Sequence, residues 1–359
     1  MIMAPSKINF RPALLLSLLI SFPPALFSQE ESPGINYVDT IDISADIFED
    51  VEPMRITLTF DIKKYQREKF KGEYMPVHFL YQFNDSVYLE KEMRLKARGE
   101  FRRSYCSLAP FWLNIRKADV ANENLQDTKR IKVVTNCRGS KTYDDYLLRE
   151  YLCYKIYNLI SPVSFRVRLL RMKYVDTGRK NKVTEGWAFM IEPEDMLAER
   201  HEAIVVQNDG LAMRLTKPGQ LDVAALFTYM IGNADFSVTG RHNVKILGMP
   251  GFGSEGYTVV PYDFDYSGLV DADYAIPGEN LGISSVRERY YLGLCRSDEA
   301  FGVAIDSINQ YREEILQLVQ DFEYLDQRNK NDVIGYLEEY FTLASQHDRI
   351  ISQLRTTCR

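Results

Sequence analysis

The chain has 359 residues, enough for one large domain or two ordinary ones with a substantial core. Hydrophobic residues make up 45% of the chain and charged residues 26%, as in an ordinary globular protein. An aromatic content of 12% argues against a disordered chain. The formal net charge of −6 gives no bulk electrostatic reason to expect a nucleic-acid partner, and we predict none.

Residues 1–28 are predicted to be a signal peptide. Lys7 and Arg11 precede an uncharged apolar run over residues 13–20, and Pro23 with its neighbouring proline then interrupts the run. A membrane anchor is the alternative, but this run is short and interrupted for a membrane span. We therefore expect an exported protein, periplasmic or extracellular after cleavage, with no transmembrane helix in the mature chain.

An acidic lead-in segment at residues 29–53 is followed by two predicted lobes, β-rich at residues 54–140 and mixed and helical at residues 141–359. Alternation of polar and apolar residues predicts the strands of the first lobe. These strands are expected at residues 55–62, 77–81, 93–99, 111–115 and 130–134. We predict an α+β fold whose first half is a largely antiparallel sheet.

The second lobe is predicted to begin with a helix over residues 144–160. Apolar residues recur there at helical spacing, and Pro162 ends the pattern. The elements expected after it are a strand pair at residues 165–174 and 184–191, helices at 193–200 and 221–231, strands at 244–247 and 257–260, and helices near 298–322 and 331–355.

Five cysteines suggest one or two disulfides in an oxidising compartment. Cys106 and Cys137 lie in turn-like segments that suit a bridge, whereas Cys153 lies on an apolar helical face and is expected to be a buried thiol. The sequence leaves the full connectivity of these two, Cys295 and Cys358 open. The spacings match no zinc motif.

Two acidic clusters about thirty residues apart carry the functional prediction. Asn233 and Asp235 follow a predicted helix, and Asn243 precedes the next strand, whereas Asp263 and Asp265 follow the strand after that. Pairing of the two strands as a hairpin would bring Asn243 close to Asp263. Taken singly, each cluster is a common turn. Together they can place carboxylate and amide oxygens around one cavity.

Phosphoryl transfer with Mg²⁺ needs such a set of groups. One carboxylate orients the attacking hydroxyl, and an amide and a second carboxylate hold the metal ion. The order and spacing of the two clusters therefore indicate an exported kinase-like protein.

The order of motifs resembles the CotH-like atypical protein kinase family. The matching segments are Asn233-Ala234-Asp235, the downstream Asn243, Pro261-Tyr262-Asp263-Phe264-Asp265, the strand end Arg98-Gly99, the helical Leu147-Leu148-Arg149 and a hairpin ending near Glu192. The similarity spans roughly residues 54–300 and depends on order more than on identity. It implies a two-lobed protein-kinase-like fold and ATP-dependent phosphorylation of Ser or Thr in an exported protein substrate.

The resemblance also implies roles for the acidic and amide residues. Asp235 would orient the acceptor hydroxyl, and Asn243 and Asp263 would bind Mg²⁺ or Mn²⁺. Asp265 is a candidate further metal ligand. Metal and fixed cations are needed because phosphoryl transfer develops negative charge that must be neutralised.

On the phosphate side, the resemblance makes Arg98 and Lys132 candidate contacts of ATP, with Glu192 a candidate partner for such a cation. Glu100 beside a phosphate site is unfavourable, and the sequence has no glycine-rich phosphate loop elsewhere. These departures support an alternative, in which the chain keeps the fold as a non-catalytic, pseudokinase-like binding or scaffold protein with an envelope partner.

Overall fold

A computed structural model describes residues 36–38, 47–48, 52–82, 84–85, 87–114, 130–207, 210–249 and 256–359. The predicted signal peptide at residues 1–28 lies outside these ranges. Within them, no helix combines the length and the apolar character that crossing a membrane requires.

The main sheet contains eight of the described strands, in the order β1-β4-β3-β2-β7-β8-β6-β5. Their bounds are Asn36–Val38 (β1), Met54–Phe60 (β2), Met75–Gln82 (β3), Val87–Ala97 (β4), Phe111–Asn114 (β5), Ile131–Thr135 (β6), Val167–Asp176 (β7) and Lys182–Ile191 (β8). A further pairing of β4 with β5 closes seven of these strands into a barrel. Alternate residues of β4, such as Leu89, Met93 and Leu95, are buried in the barrel core.

The helical elements dominate the second half of the chain. The described helices are Ile62–Glu68 (α1), Phe101–Tyr105 (α2), Lys141–Ile160 (α3), Glu194–Arg200 (α4), Pro218–Met230 (α5), Asp298–Asn309 (α6), Arg312–Asp321 (α7), Gln327–Ala344 (α8) and His347–Arg355 (α9), with single 3₁₀ turns at Thr177–Arg179, Met213–Leu215 and Glu279–Leu281. Strands Ile204–Val205 (β9), Val244–Gly248 (β10) and Thr258–Pro261 (β11) form a small sheet in the order β11-β10-β9.

The prediction of an α+β fold with a β-rich first half and a helical second half is confirmed. Closure of the main sheet was not expected, and neither were its parallel pairings of β1 with β4 and β2 with β7. The β7–β8 hairpin lies beyond residue 140, yet β7 pairs with β2 and β8 pairs with β6. Residue alternation identifies a strand but carries no information about the edge that it will pair with, so these contacts were missed.

Disulfides join Cys106 to Cys137 and Cys295 to Cys358. The first bridge and the buried free thiol of Cys153 confirm the predictions made for those residues. The first bridge ties the residue that follows α2 to the turn that follows β6, so it fixes α2 against the barrel. The second bridge ties the last turn of the chain to the segment before α6.

Helix α3 connects the barrel to the helical half. It packs against β7, β8 and α7, and twelve of its twenty residues are buried. Most of these are apolar, but Arg149 and Glu150 are buried as well, with exposed fractions of 7% and 1%. A buried charge is costly unless it is paired. We therefore expect charged or polar partners of Glu150 next to this helix.

Candidate functional site

Asp235 and Asn243 are in direct contact just beyond the end of α5. The Asn243 Nδ2 donates hydrogen bonds to the Asp235 Oδ2 at 2.8 Å and to the Asp235 backbone oxygen at 2.9 Å. His242 Nε2 lies 2.9 Å from the other carboxylate oxygen, Oδ1. Asn233 shapes the turn, because its side-chain oxygen accepts a hydrogen bond from the Asp235 backbone N–H at 3.0 Å. Asp235 itself is half-buried and faces solvent in part.

The predicted hairpin brings the second acidic cluster to this point. Strands β10 and β11 pair antiparallel with Val244 opposite Pro261. One residue further out, the Tyr262 N–H donates to the Asn243 backbone oxygen at 3.0 Å. Asp263 is therefore one residue away from a backbone contact with Asn243, as the spacing of the two clusters predicts.

The two residues that flank the open end of the hairpin have unusual backbone geometry. Asn243 and Asp263 adopt left-handed conformations, with φ of 52° and 63°. Asn and Asp tolerate this region better than most residues, and such conformations cluster at functional sites. The Asp263 N–H donates to the hydroxyl of buried Tyr154 on α3 at 2.8 Å. The ring of Tyr154 also packs edge-on against Phe264 at 4.7 Å, so α3 holds the start of the second cluster.

Three carboxylates converge beside α3. Oxygen atoms of Glu150, Asp263 and Asp265 all lie within 4.8 Å of one another, a spacing at which one divalent cation could be shared. The Arg102 guanidinium, on α2, lies between two of them. Its Nη2 donates to Glu150 Oε2 at 2.5 Å and its Nε donates to Asp265 Oδ2 at 2.7 Å. Arg102 is itself buried, with an exposed fraction of 9%.

The crowding of negative charge changes the acidity of this cluster. Burial, together with the repulsion of Asp265 and Asp263, raises the pKa of Glu150 to about 8, although Arg102 acts in the opposite sense. Burial also raises the pKa of Asp265, to about 6, again against Arg102. Glu150 Oε1 is buried and accepts no hydrogen bond in the described structure. The cluster can therefore hold a proton as well as a cation.

Sequence reasoning missed Arg102 and Glu150. Arg102 follows the predicted strand at residues 93–99 and was given no role, whereas it is the inward-facing residue of the short helix α2. Glu150 directly follows the Leu147-Leu148-Arg149 motif, and its position among apolar residues of α3 was the available signal. A charged residue on the apolar face of a predicted helix indicates a buried partner.

The predicted phosphate contacts Arg98 and Lys132 are brought together at the ring of Trp112. The Arg98 guanidinium lies 5.3 Å and the Lys132 ammonium 5.6 Å from the ring centroid. Lys132 also lies 4.7 Å from the ring centroid of Tyr262, the neighbour of Asp263. Burial, with repulsion from Arg98 and Lys245, lowers the pKa of Lys132 to about 7. The cations and the acidic cluster thus meet at Tyr262 and Asp263.

Glu192 has different partners from those expected. Its carboxylate is fully buried and accepts hydrogen bonds from Arg166 and Arg200 at 3.0–3.1 Å. The carboxylate next to the cations is instead that of Glu194, which lies 2.5 Å from the Lys245 ammonium. Lys245 and Lys132 both act to lower the pKa of Glu194.

Comparison with known proteins leaves the family of this chain unassigned. No family model matches it, and no curated protein matches it. The crystal structure of CtkA, a proinflammatory kinase of Helicobacter pylori, aligns with 70% of this chain and 94% of that chain. The aligned sequences are 13% identical and the TM-score is 0.38, a similarity too low to establish a shared fold or activity.

Proposed function

We propose that this chain is an exported, kinase-like phosphotransferase that uses Mg²⁺ or Mn²⁺ to transfer a phosphoryl group from ATP to Ser or Thr of a protein. The observation that carries the proposal is the position of Asn243. Its side chain contacts Asp235, and its backbone contacts the residue before Asp263. One residue thus joins the group that would orient an acceptor hydroxyl to the group that would hold metal.

The donor atoms at this point suit a hard divalent cation, which prefers carboxylate and amide oxygens. Asp263 and the Asn243 Oδ1 would bind the metal ion, and Asp265 would contribute only where Arg102 gives up its hydrogen bond. Asp235 would accept the proton of the acceptor hydroxyl. Asn243 and His242 hold the Asp235 carboxylate in a fixed orientation, which favours productive geometry.

Fixed positive charge for the phosphate groups would come from Lys132 and Arg98. Lys132 lies against the ring of Tyr262, the neighbour of Asp263, and Arg98 shares the Trp112 ring with Lys132. Charge neutralisation by metal and by fixed cations is the main demand of phosphoryl transfer. The bound metal and nucleotide would supply the reacting phosphoryl group, and the protein would position and neutralise it.

The second candidate function is a non-catalytic binding or scaffold protein of the envelope. The observation that favours it is Arg102, whose guanidinium already neutralises Glu150 and Asp265. A cluster neutralised by a protein side chain is folded and paired without a metal ion. This alternative expects nucleotide binding to be absent and the acidic residues to be dispensable for partner binding.

A thermal-shift experiment with ATP and Mg²⁺ or Mn²⁺ separates the two. A ligand at about 100 times its Kd stabilises a protein by about 2.7 kcal/mol, so the wild type should melt several degrees higher. Asp263→Asn should abolish the shift, because it removes the charge but keeps a side chain that tolerates a left-handed backbone. Asp271→Asn is the matched control, since Asp271 has φ of 53° on the exposed surface.

Transfer is tested separately with ATP labelled in the γ-phosphate and dephosphorylated casein as a generic protein acceptor. Asp235→Asn should retain the thermal shift and lose the transfer of label to casein. The proposal is wrong if the wild type shows no shift, or if Asp263→Asn and Asp271→Asn shift equally. Either result would favour the scaffold function.

A further inference from the structure

The outer face of strands β4, β5 and β6 carries a concentrated patch of positive charge. We call it the basic face and define it by five residues that surround two aromatic rings, those of Tyr74 and Trp112. The five residues are Arg94, Lys96, Arg98, Arg130 and Lys132.

The strand register builds the basic face. Lys96 on β4 lies opposite Trp112 on β5, and Trp112 lies opposite Lys132 on β6. This makes one row of cation, aromatic ring and cation across three strands. Arg130 lies over the same ring at 4.5 Å from its centroid. The alternation of β4 buries its other residues in the barrel, so its cations point outward.

A second aromatic ring extends the basic face along β4. The Arg94 guanidinium lies 5.6 Å and the Lys96 ammonium 5.1 Å from the centroid of the Tyr74 ring. Successive outward positions at 94, 96 and 98 are all basic. Cations next to aromatic rings gain a modest attraction.

The described residues supply no carboxylate that forms an ion pair with any of the five cations. Glu90 and Glu92 share the outward side of β4, but both contact His78, each at 2.9 Å. A chain with a net charge of −6 thus gathers positive charge at one place with no ion pair to a carboxylate of the described residues, which favours an anionic ligand.

The basic face continues into the candidate site. Its innermost member, Lys132, has an exposed fraction of 7% and lies against Tyr262, beside Asp263. On the other side of that ring is Lys245, 5.8 Å from its centroid. A ligand that lay along the outer strands would thus end near Asp263.

We propose that the basic face docks an acidic segment of a protein, rich in Asp and Glu, and directs it toward Asp263. The direction toward a transfer site rests on the proposed function, whereas the docking itself does not. From position 94 to position 98 the face measures about 13 Å at about 3.3 Å per residue, the length of about four extended residues. A short acidic peptide fits that span.

Fluorescence anisotropy with labelled decaglutamate tests the docking, in the absence of nucleotide and metal. The wild type should bind the peptide, and binding should weaken as salt rises from about 50 to about 300 mM because screening increases. Arg94→Glu with Lys96→Glu should weaken binding at least about tenfold. Neither residue belongs to the candidate catalytic or phosphate-binding set, so this double variant should keep any thermal shift with ATP.

The matched control is Arg328→Glu with Lys182→Glu, which makes the same charge change at two exposed positions on α8 and β8. It should bind the peptide like the wild type. The double variant of the basic face should melt no lower than the wild type, since it relieves like-charge repulsion. Arg94→Gln with Lys96→Gln provides a milder version if the charge reversal prevents folding.

Two results would overturn the proposal. One is equal peptide binding by the wild type and by the double variant of the basic face. The other is tighter binding of an oligothymidylate of matched length, which would identify a nucleic-acid surface. Because no ATP or metal is present, failure here leaves the kinase proposal standing, and loss of the ATP shift leaves the docking result standing.

Discussion

Two regions of the molecule differ in how their charged side chains are paired. Around Arg102, the buried carboxylates of Glu150 and Asp265 share one guanidinium, so the fold itself balances most of the charge. On the basic face, the cations lie over the rings of Tyr74 and Trp112 and form no direct ion pair with a described carboxylate, although Glu194 interacts electrostatically with Lys132 and Arg130. The charges of the first region are paired within the protein, and those of the second are available to a ligand.

The difference predicts which property responds when each region is changed. A buried ion pair that loses one partner leaves an uncompensated charge in a medium of low polarity, so changes around Arg102 should act mainly on stability. Exposed cations contribute little to stability and much to encounter with anions. Changes on the basic face should act mainly on binding. The predictions below test this division, from the largest expected effect to the smallest.

The largest effect is expected from Arg102→Ala. It removes the guanidinium between two buried carboxylates, and we expect a loss of about 3–5 kcal/mol in the free energy of unfolding at pH 7. Chemical denaturation followed by tryptophan fluorescence measures the change. Arg103→Ala is the matched control on the same helix, since Arg103 is half-buried over the Phe70 ring and should cost under about 1 kcal/mol.

Combining Arg102→Ala with Glu150→Gln sharpens this result. Glutamine cannot ionise, so it removes the cost of the proton that burial makes Glu150 take up on folding at pH 7, and the double variant should recover part of the lost stability. Additive losses would show that Arg102 stabilises the fold through packing rather than through charge. That outcome would remove the contrast between the two regions.

Glu150→Gln alone should change the pH dependence of stability. Burial and repulsion raise the folded-state pKa of Glu150 to about 8, above the usual value near 4.3. The native state then binds more protons than the unfolded state between those values, so the contribution of Glu150 to stability is lost as pH rises through that window. Glutamine imitates the protonated carboxyl and does not titrate.

We therefore expect the free energy of unfolding of Glu150→Gln, relative to that of the wild type, to rise by about 4 kcal/mol from pH 5 to pH 9. Melting curves across that range measure the difference. Glu185→Gln is the control, because Glu185 is exposed on β8. Its stability relative to the wild type should not change with pH. A flat difference for Glu150→Gln would mean that Arg102 keeps Glu150 ionised throughout, and the acidic region would then be fully balanced.

The sequence was sufficient for those parts of the site that depend on local pairing. The hairpin of β10 and β11 follows from two apolar runs and the spacing between them, and it brought Asn243 to the Tyr262 backbone. The bridge between Cys106 and Cys137 followed from two turn-like contexts. Each of these inferences needed only one antiparallel or turn contact.

The missing parts depend on contacts between distant segments. Arg102 meets Asp265 across 163 positions of the chain, and the barrel closes because β4 pairs with β5 as well as β3. Neither contact leaves a periodic signal in the sequence. Glu192 shows the same limit. Its partners are Arg166, just before β7, and Arg200, the last residue of α4, and no pattern in the sequence distinguishes these two arginines from the others.

The smallest effect is expected at Lys132, where the two regions meet. Burial and the repulsion of Arg98 lower its pKa to about 7, so its ammonium loses charge as pH rises from 6 to 8. Affinity for ATP with Mg²⁺ should fall over that range in the wild type. Lys132→Arg keeps its charge at these pH values, so the ratio of its affinity to that of the wild type should rise by about tenfold.

Taking the ratio cancels the titration of ATP itself, which both proteins share. The measurement is isothermal titration calorimetry at pH 6, 7 and 8, with Lys182→Arg as a control at an exposed lysine. A constant ratio would show that Lys132 makes no contact with phosphate. Lys132 would then have a structural role only, and Arg98 would be the first cation of the basic face that contacts the ligand.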